Sequence, residues 1–156
     1  MNAAYAHLLL NHLPVLGTAF GVLLLLLAFV RRSDELKRVG MGVFVAAALS
    51  AAPAYFTGES AEDTVEKLPG ISKAMMHEHE DAAEGAAVAL GVLGTVSLAG
   101  LVCFRRAACV PNWMSVSSLA LAIVVAVLMA RAASLGGRIH HPEIRSPDGV
   151  AQPASD

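Results

Sequence analysis

The sequence predicts an all-α integral membrane protein, a four-helix bundle whose four spans cross the bilayer. Three observations carry this. The chain is 56% hydrophobic and only 15% charged, with a mean hydropathy of +0.60, whereas a soluble domain carries about 25% charged residues. Its apolar residues run in four stretches, each near the ~20 residues that a spanning helix needs. Its charges fall mostly in short tracts between those stretches. Four spans and their loops use the whole length. The chain therefore divides into a membrane domain, 1–145, and a tail, 146–156, rich in Pro, Ser, Gly and Asp and expected to be disordered. A net charge of −2 gives no nucleic-acid signal.

Span one covers about 8–30, and its centre, 22–27, is as apolar as lipid. Pro14 suits the first turn of a helix, and Arg31 and Arg32 stop the span. Span two, about 39–56, is short and rich in alanine. Pro53 lies near its end, where it frees a carbonyl and favours a kink. Gly58 follows as a natural residue to close that helix. Span three, about 80–104, begins in a polar run that contains His77, Glu78, His79, Glu80, Asp81 and Glu84. Span four, about 113–133, starts after Pro111-Asn112, with Trp113 as an interface anchor. Gly136-Gly137 is expected to end it. Gly17 and Gly21 form a G-x-x-x-G pair, and Gly91, Gly94 and Gly100 lie on span three. Helices in lipid pack closely through such residues.

Charge sets the orientation. Arg31, Arg32, Lys37 and Arg38 lie between spans one and two, and Arg105 and Arg106 between spans three and four. On the other side, Lys67, Lys73, Arg131, Arg138 and Arg145 are spread over longer segments beside most of the acids. Basic residues in short loops mark the cytoplasmic side. The expectation is a bacterial inner-membrane protein with both termini periplasmic. No basic residue precedes span one, so it is read as a retained span and not a cleaved signal. Cys103 and Cys109 match no metal motif.

All six histidines, His7, His12, His77, His79, His140 and His141, fall on the outer side. Imidazole is the commonest protein metal ligand and a usual axial ligand of haem. On an unbroken helix His7 and His12 differ by about 140° in azimuth. They serve one site only if the helix breaks between them. Glu80 and Glu84 are i, i+4 and share a face, with His77 three residues before Glu80. His79 runs in line with Ala83 and Ala86, whose small side chains leave room for a flat macrocycle. Glu84 begins to enter the membrane, where a carboxylate is costly unless paired, protonated or ligating. Glu59 is expected at the outer rim. His141 precedes a proline and is held extended; His140 points elsewhere. His12, His79 and His141 are the expected ligands and His7 a further one, with His77 and His140 as bystanders.

The opening His-x4-His-x-Pro, His7, His12 and Pro14, resembles the start of a family of small four-span bacterial membrane proteins of unknown function. That family typically opens with a His-Pro-x-x-x-His-Phe-Pro-like string. It also carries a Thr-Gly pair after span two, as in Thr57-Gly58, and a histidine leading into span three, as in His79. Here Leu8 stands for the first proline and Leu13 for the phenylalanine. Some relatives are joined to Rieske iron–sulfur domains, which implies respiratory electron transfer. The resemblance bears on His7, His12 and His79 alone; the segment from Gly136 to Arg145 is not part of the pattern.

Three functions are consistent with these residues. The first is a b-type cytochrome-like electron-transfer protein or subunit. Two histidines from different helices, His12 with His79 or with His141 as substitute, would ligate haem b near the periplasmic face. Arg138 or Arg145 would pair with its propionates, and a quinol or a periplasmic electron carrier would be its partner. The second is a non-haem Zn, Fe or Cu site drawing on His7, His12, His79, His141, Glu80 and Glu84, with Glu59 and Glu143 beside them. The Glu-x-x-His pairs of di-metal bundles and the His-Glu-x-x-His of zinc hydrolases are absent. The third is a cofactor-free accessory subunit of a larger membrane complex. An electron-transfer or accessory subunit is expected over a self-contained enzyme. The spans hold no midplane charge, which argues against a transporter.

Overall fold

A computed structural model of the chain describes residues 3–65 and 73–140. Five helices follow in order: α1 (Ala3–Leu10), α2 (His12–Arg31), α3 (Asp34–Val65), α4 (Lys73–Cys103) and α5 (Asn112–His140). A single turn residue, Asn11, separates α1 from α2, and together they make the first span. The fold is the all-α four-helix bundle expected, and its four spans are Tyr5–Arg31, Asp34–Gly58, Lys73–Cys103 and Asn112–Ile139. Only 28% to 33% of the most apolar stretch of each is buried inside the protein. The rest faces outward with residues such as Leu23, Leu49, Val88 and Val127 exposed. A soluble bundle does not show so much apolar surface to water; lipid is the solvent that suits it.

Two helix ends differ from expectation. Gly58 does not close α3, which runs on to Val65, and Gly136-Gly137 does not end α5, which runs on to His140. Both glycines sit inside helices, where they clear space for a neighbour. Pro53 is likewise inside α3, on its exposed side.

The helices go round the bundle in the order α2, α3, α4, α5, with α5 touching α2 more sparsely than the other neighbours touch. The centre is Leu25, Phe44, Leu90, Leu93, Ala122 and Val125, all fully buried. Close approach depends on small residues. The Phe44 ring occupies the place where Gly21 lacks a side chain, and Gly94 does the same for Ala48. A methyl group on Gly17 would stand 3.0 Å from that of Ala47. Gly100 receives the ends of Met41 and Met114. Gly91 has open space before it and takes no part in packing.

The inner end is tied by polar contacts. Ser33 caps α3, its hydroxyl accepting from the Leu36 amide at 3.3 Å. Asp34 then accepts from the Val110 amide at 2.6 Å and from Arg38 Nε at 3.0 Å. Arg38 donates to the carbonyls of Phe104 and Ala107, both at 3.1 Å. Lys37, buried, donates to the Val110 carbonyl at 3.2 Å and to Asn112 Oδ1 at 2.8 Å. The first turn of α3 thus clasps the loop between α4 and α5. Two of the basic residues between the first and second spans, Lys37 and Arg38, also hold the bundle together.

The bundle is two hairpins, α1–α3 and α4–α5, that repeat one register. The offset that carries His7 to His79 carries the buried residues of α2, Pro14, Thr18, Gly21, Leu25 and Ala28, onto Ala86, Leu90, Leu93, Ser97 and Gly100. All five of these are buried too. The offset between the first residues of α3 and α5, Asp34 and Asn112, carries Lys37, Gly40, Phe44, Ala47 and Ala54 onto Ser115, Ser118, Ala122, Val125 and Ala132. All ten are buried. Matched phase alone is weak, since burial recurs with every helical turn. The second offset also lands Gly58 on Gly136 with no adjustment. One difference stands out: Leu25 lies against Gly40 in the first hairpin, while the second has Ser97 and Ser118 at those positions. Their hydroxyls, with that of Ser115, are buried without a hydrogen-bond partner among the described residues.

Gly21→Leu forces a side chain into the Phe44 ring and should lower stability by ~1–3 kcal/mol or more, read as a fall in the thermal midpoint in detergent. Gly91→Ala should leave the midpoint unchanged or raise it. Asp34→Ala removes the acceptor of Val110 and Arg38 at once. It should cost about 1–3 kcal/mol and increase proteolysis within the loop 104–111.

Candidate functional site

The outer end holds the histidines, and two of them are seated alike. His7 lies half-buried between α1 and α3. Its Nδ1 is 2.9 Å from the Ala54 carbonyl, and its ring lies over Gly58, where a methyl group would stand 3.1 Å from Cε1. His79 lies half-buried between α4 and α5. Its Nδ1 is 2.9 Å from the Ala132 carbonyl, and its ring lies over Gly136, where a methyl group would stand 3.0 Å from Cε1. Each seat is a carbonyl and a glycine one turn further along the facing helix. On α3 the Thr57 hydroxyl also donates to the Ala54 carbonyl, at 3.0 Å.

This geometry sets the proton. A carbonyl oxygen only accepts, so each Nδ1 carries the hydrogen. In the neutral ring Nε2 then bears the lone pair, and neither Nε2 has a partner among the described residues. Ligating histidines are held in this way, with the far nitrogen bonded to a carbonyl or carboxylate so that the near one points its lone pair at the metal.

The other expected residues are placed differently. His12 is exposed, and its Nδ1 lies 2.7 Å from the Leu8 carbonyl one turn back. The helix does break between His7 and His12, at Asn11, yet His7 is drawn to α3 and His12 is left on the outside. The room expected beside His79 is taken on one side by Gly136. Glu80 faces outward and meets only His77, at 3.5 Å. Both are exposed, so the pair contributes little. Glu84 lines a groove of about 390 Å³ between α3 and α4, with Ala48, Ala51, Ala52, Tyr55, Phe56, Ala87 and Val88. Arg138 is exposed near the end of α5. His141, Glu143, Arg145 and the tail lie outside the described residues, as do the side chains of Glu59 and His140. Among the described residues, no three His, Cys, Asp or Glu side chains come together as an ion site would need.

The seats themselves were not expected from the sequence. Ala54-x-x-x-Gly58 and Ala132-x-x-x-Gly136, at matching places in two helices, are the signal that was there to find.

Gly136→Ala should tip the His79 ring and shift its imidazole nitrogen resonances by NMR while those of His7 stay in place; Gly58→Ala should do the reverse. Comparison with known protein families, characterised proteins and solved structures finds no match, so any functional reading of the chain rests on these seats and on the membrane around them.

Proposed function

We propose that this chain is a membrane-embedded electron-transfer subunit that holds haem b by imidazole nitrogen near the outer end of the bundle. The observation that carries the reading is the seating of imidazoles there, with Nδ1–H spent on a carbonyl and Nε2 left as a lone pair. Haem iron asks the protein for one or two axial ligands, because the macrocycle supplies the other four. An unassisted ion asks for three or more protein groups. Imidazole seats on different helices suit the first demand. Bundles commonly build cofactor sites from facing helices.

The remaining chemistry fits the same place. Arg138, exposed near the outer end, would pair with a propionate, as would Arg145 after it in the chain. Positive loops at the inner end favour an inner-membrane orientation with the imidazoles toward the periplasm. A haem there exchanges one electron at a time, so the natural partners are a quinol in the bilayer and a periplasmic electron carrier. Neighbouring membrane subunits complete the path.

Protein made with haem available and purified in detergent should show a sharp Soret band that moves on adding dithionite, with iron in proportion to chain. A colourless, iron-free preparation of folded protein sinks the reading.

A further inference from the structure

The inner end carries positive charge that its clasp does not use. Arg31 and Arg32 lie where α2 gives way to α3, and Arg105 and Arg106 lie in the loop between α4 and α5. We propose that these two arginine pairs form a binding rim for an anionic phospholipid of the leaflet at that end. The proposal stands apart from the haem reading, which concerns the opposite end of the bundle.

The clasp fastens both pairs to the start of α3. Asp34, which follows Arg32 after one serine, accepts from the Val110 amide at 2.6 Å. Arg38 donates to the carbonyls of Phe104 and Ala107, the residues that bracket Arg105 and Arg106. The charges at this end then divide into two groups. Asp34, Lys37 and Arg38 bond to one another or to the loop. The arginines of the two pairs are exposed, and none of their guanidinium groups has a hydrogen bond or ion pair among the described residues. The segments 31–38 and 104–112 contain a single further carboxylate, that of Glu35. The surplus at the rim is positive.

Arg32 points most directly to a ligand. Its φ of 50° and ψ of 38° are left-handed, and its amide closes α2 by donating to the carbonyls of Ala28 and Phe29. Glycine is the residue that suits such a position, and Arg32 is the one residue other than glycine with positive φ among the described residues. A glycine would close α2 with less strain and without charge. Nothing described within the protein uses the guanidinium that stands there instead, and a phosphate outside it can. Guanidinium is weakly hydrated, and its planar fork matches phosphate oxygens two at a time.

The surroundings suit a lipid. Trp113 is 64% exposed and meets Phe104 edge to face at 6.4 Å, and an exposed indole prefers the level of the headgroups. Val30 and Val102 are exposed beside the pairs and offer carbon to acyl chains. Arginines in short loops also set orientation during insertion, and cations suit helix C-termini. Neither of those roles distinguishes one phospholipid from another once the protein is folded.

The test places the full chain in phosphatidylcholine vesicles with a trace of spin-labelled phosphatidylglycerol or spin-labelled phosphatidylcholine. Electron spin resonance separates lipid held against the protein from free lipid and gives the relative association of the two labels. Wild-type protein should favour phosphatidylglycerol several-fold, and added salt should weaken the preference. Each arginine removed should reduce it by up to ~5-fold, in Arg32→Gly and in Arg105→Gln with Arg106→Gln. Glu35→Gln should raise it. Arg32→Gly relieves the backbone, so its thermal midpoint in detergent should hold or rise, and its lost preference is then not lost fold. Equal association of the two labels with wild-type protein overturns the proposal, as does an unchanged preference in both arginine variants.

Discussion

Close approach of helix backbones at glycine is the contact on which this structure depends. In lipid, a leucine gains little by leaving the tails for another helix, so association rests on van der Waals fit and on polar contacts. Phe44 seated on Gly21, Ala48 on Gly94 and the methionines on Gly100 provide that fit along the bundle. They hold α2, α3 and α4 at fixed rotation. That rotation points His7 at Ala54 and keeps α1 against α3. The histidine seats use the same device: an imidazole on glycine is the outer end's version of a phenyl ring on glycine.

The two ends of the bundle are built for different purposes. At the inner end, Asp34, Lys37 and Arg38 bond to the loop before α5 and to its first residue, and much of their hydrogen-bonding capacity is used. Charges buried this way are costly unless partnered, and here they are partnered. At the outer end each seated imidazole keeps a nitrogen without a partner among the described residues. The satisfied network holds the fold, and the lone pairs are what the outer end has to offer a ligand. The polar chemistry of the chain is divided along that line.

Much of the architecture was legible in the sequence, because hydropathy and the placement of arginine follow directly from the cost of polar groups in lipid. The spans and their order could be read that way, whereas the break at Asn11 was only a condition for His7 and His12 to share a site. The glycines were harder. Gly58 and Gly136 resemble helix terminators, since glycine adopts the left-handed backbone that closes a helix. In a packed span the same absence of a side chain serves a neighbour, and only the fold distinguishes the uses. The bond from His79 to Ala132 lies between a side chain and a backbone carbonyl on another helix, and no residue type encodes a carbonyl. The setting of His12 was hidden for a related reason: its place beside Pro14 is conspicuous in the sequence, but that its ring is exposed and bonded to the Leu8 carbonyl is visible only in the fold.

The serines of the second hairpin make the two halves of the repeat unlike at their inner seam. A serine within a helix commonly bonds back to its own chain, yet Ser97, Ser115 and Ser118 do not, although all three are fully buried. Where the first half closes its inner seam with Leu25 on Gly40, the second keeps three hydroxyls in reserve. A leucine on glycine closes its seam with carbon alone, whereas the buried hydroxyls of α4 and α5 carry the desolvation cost of polar groups among apolar neighbours.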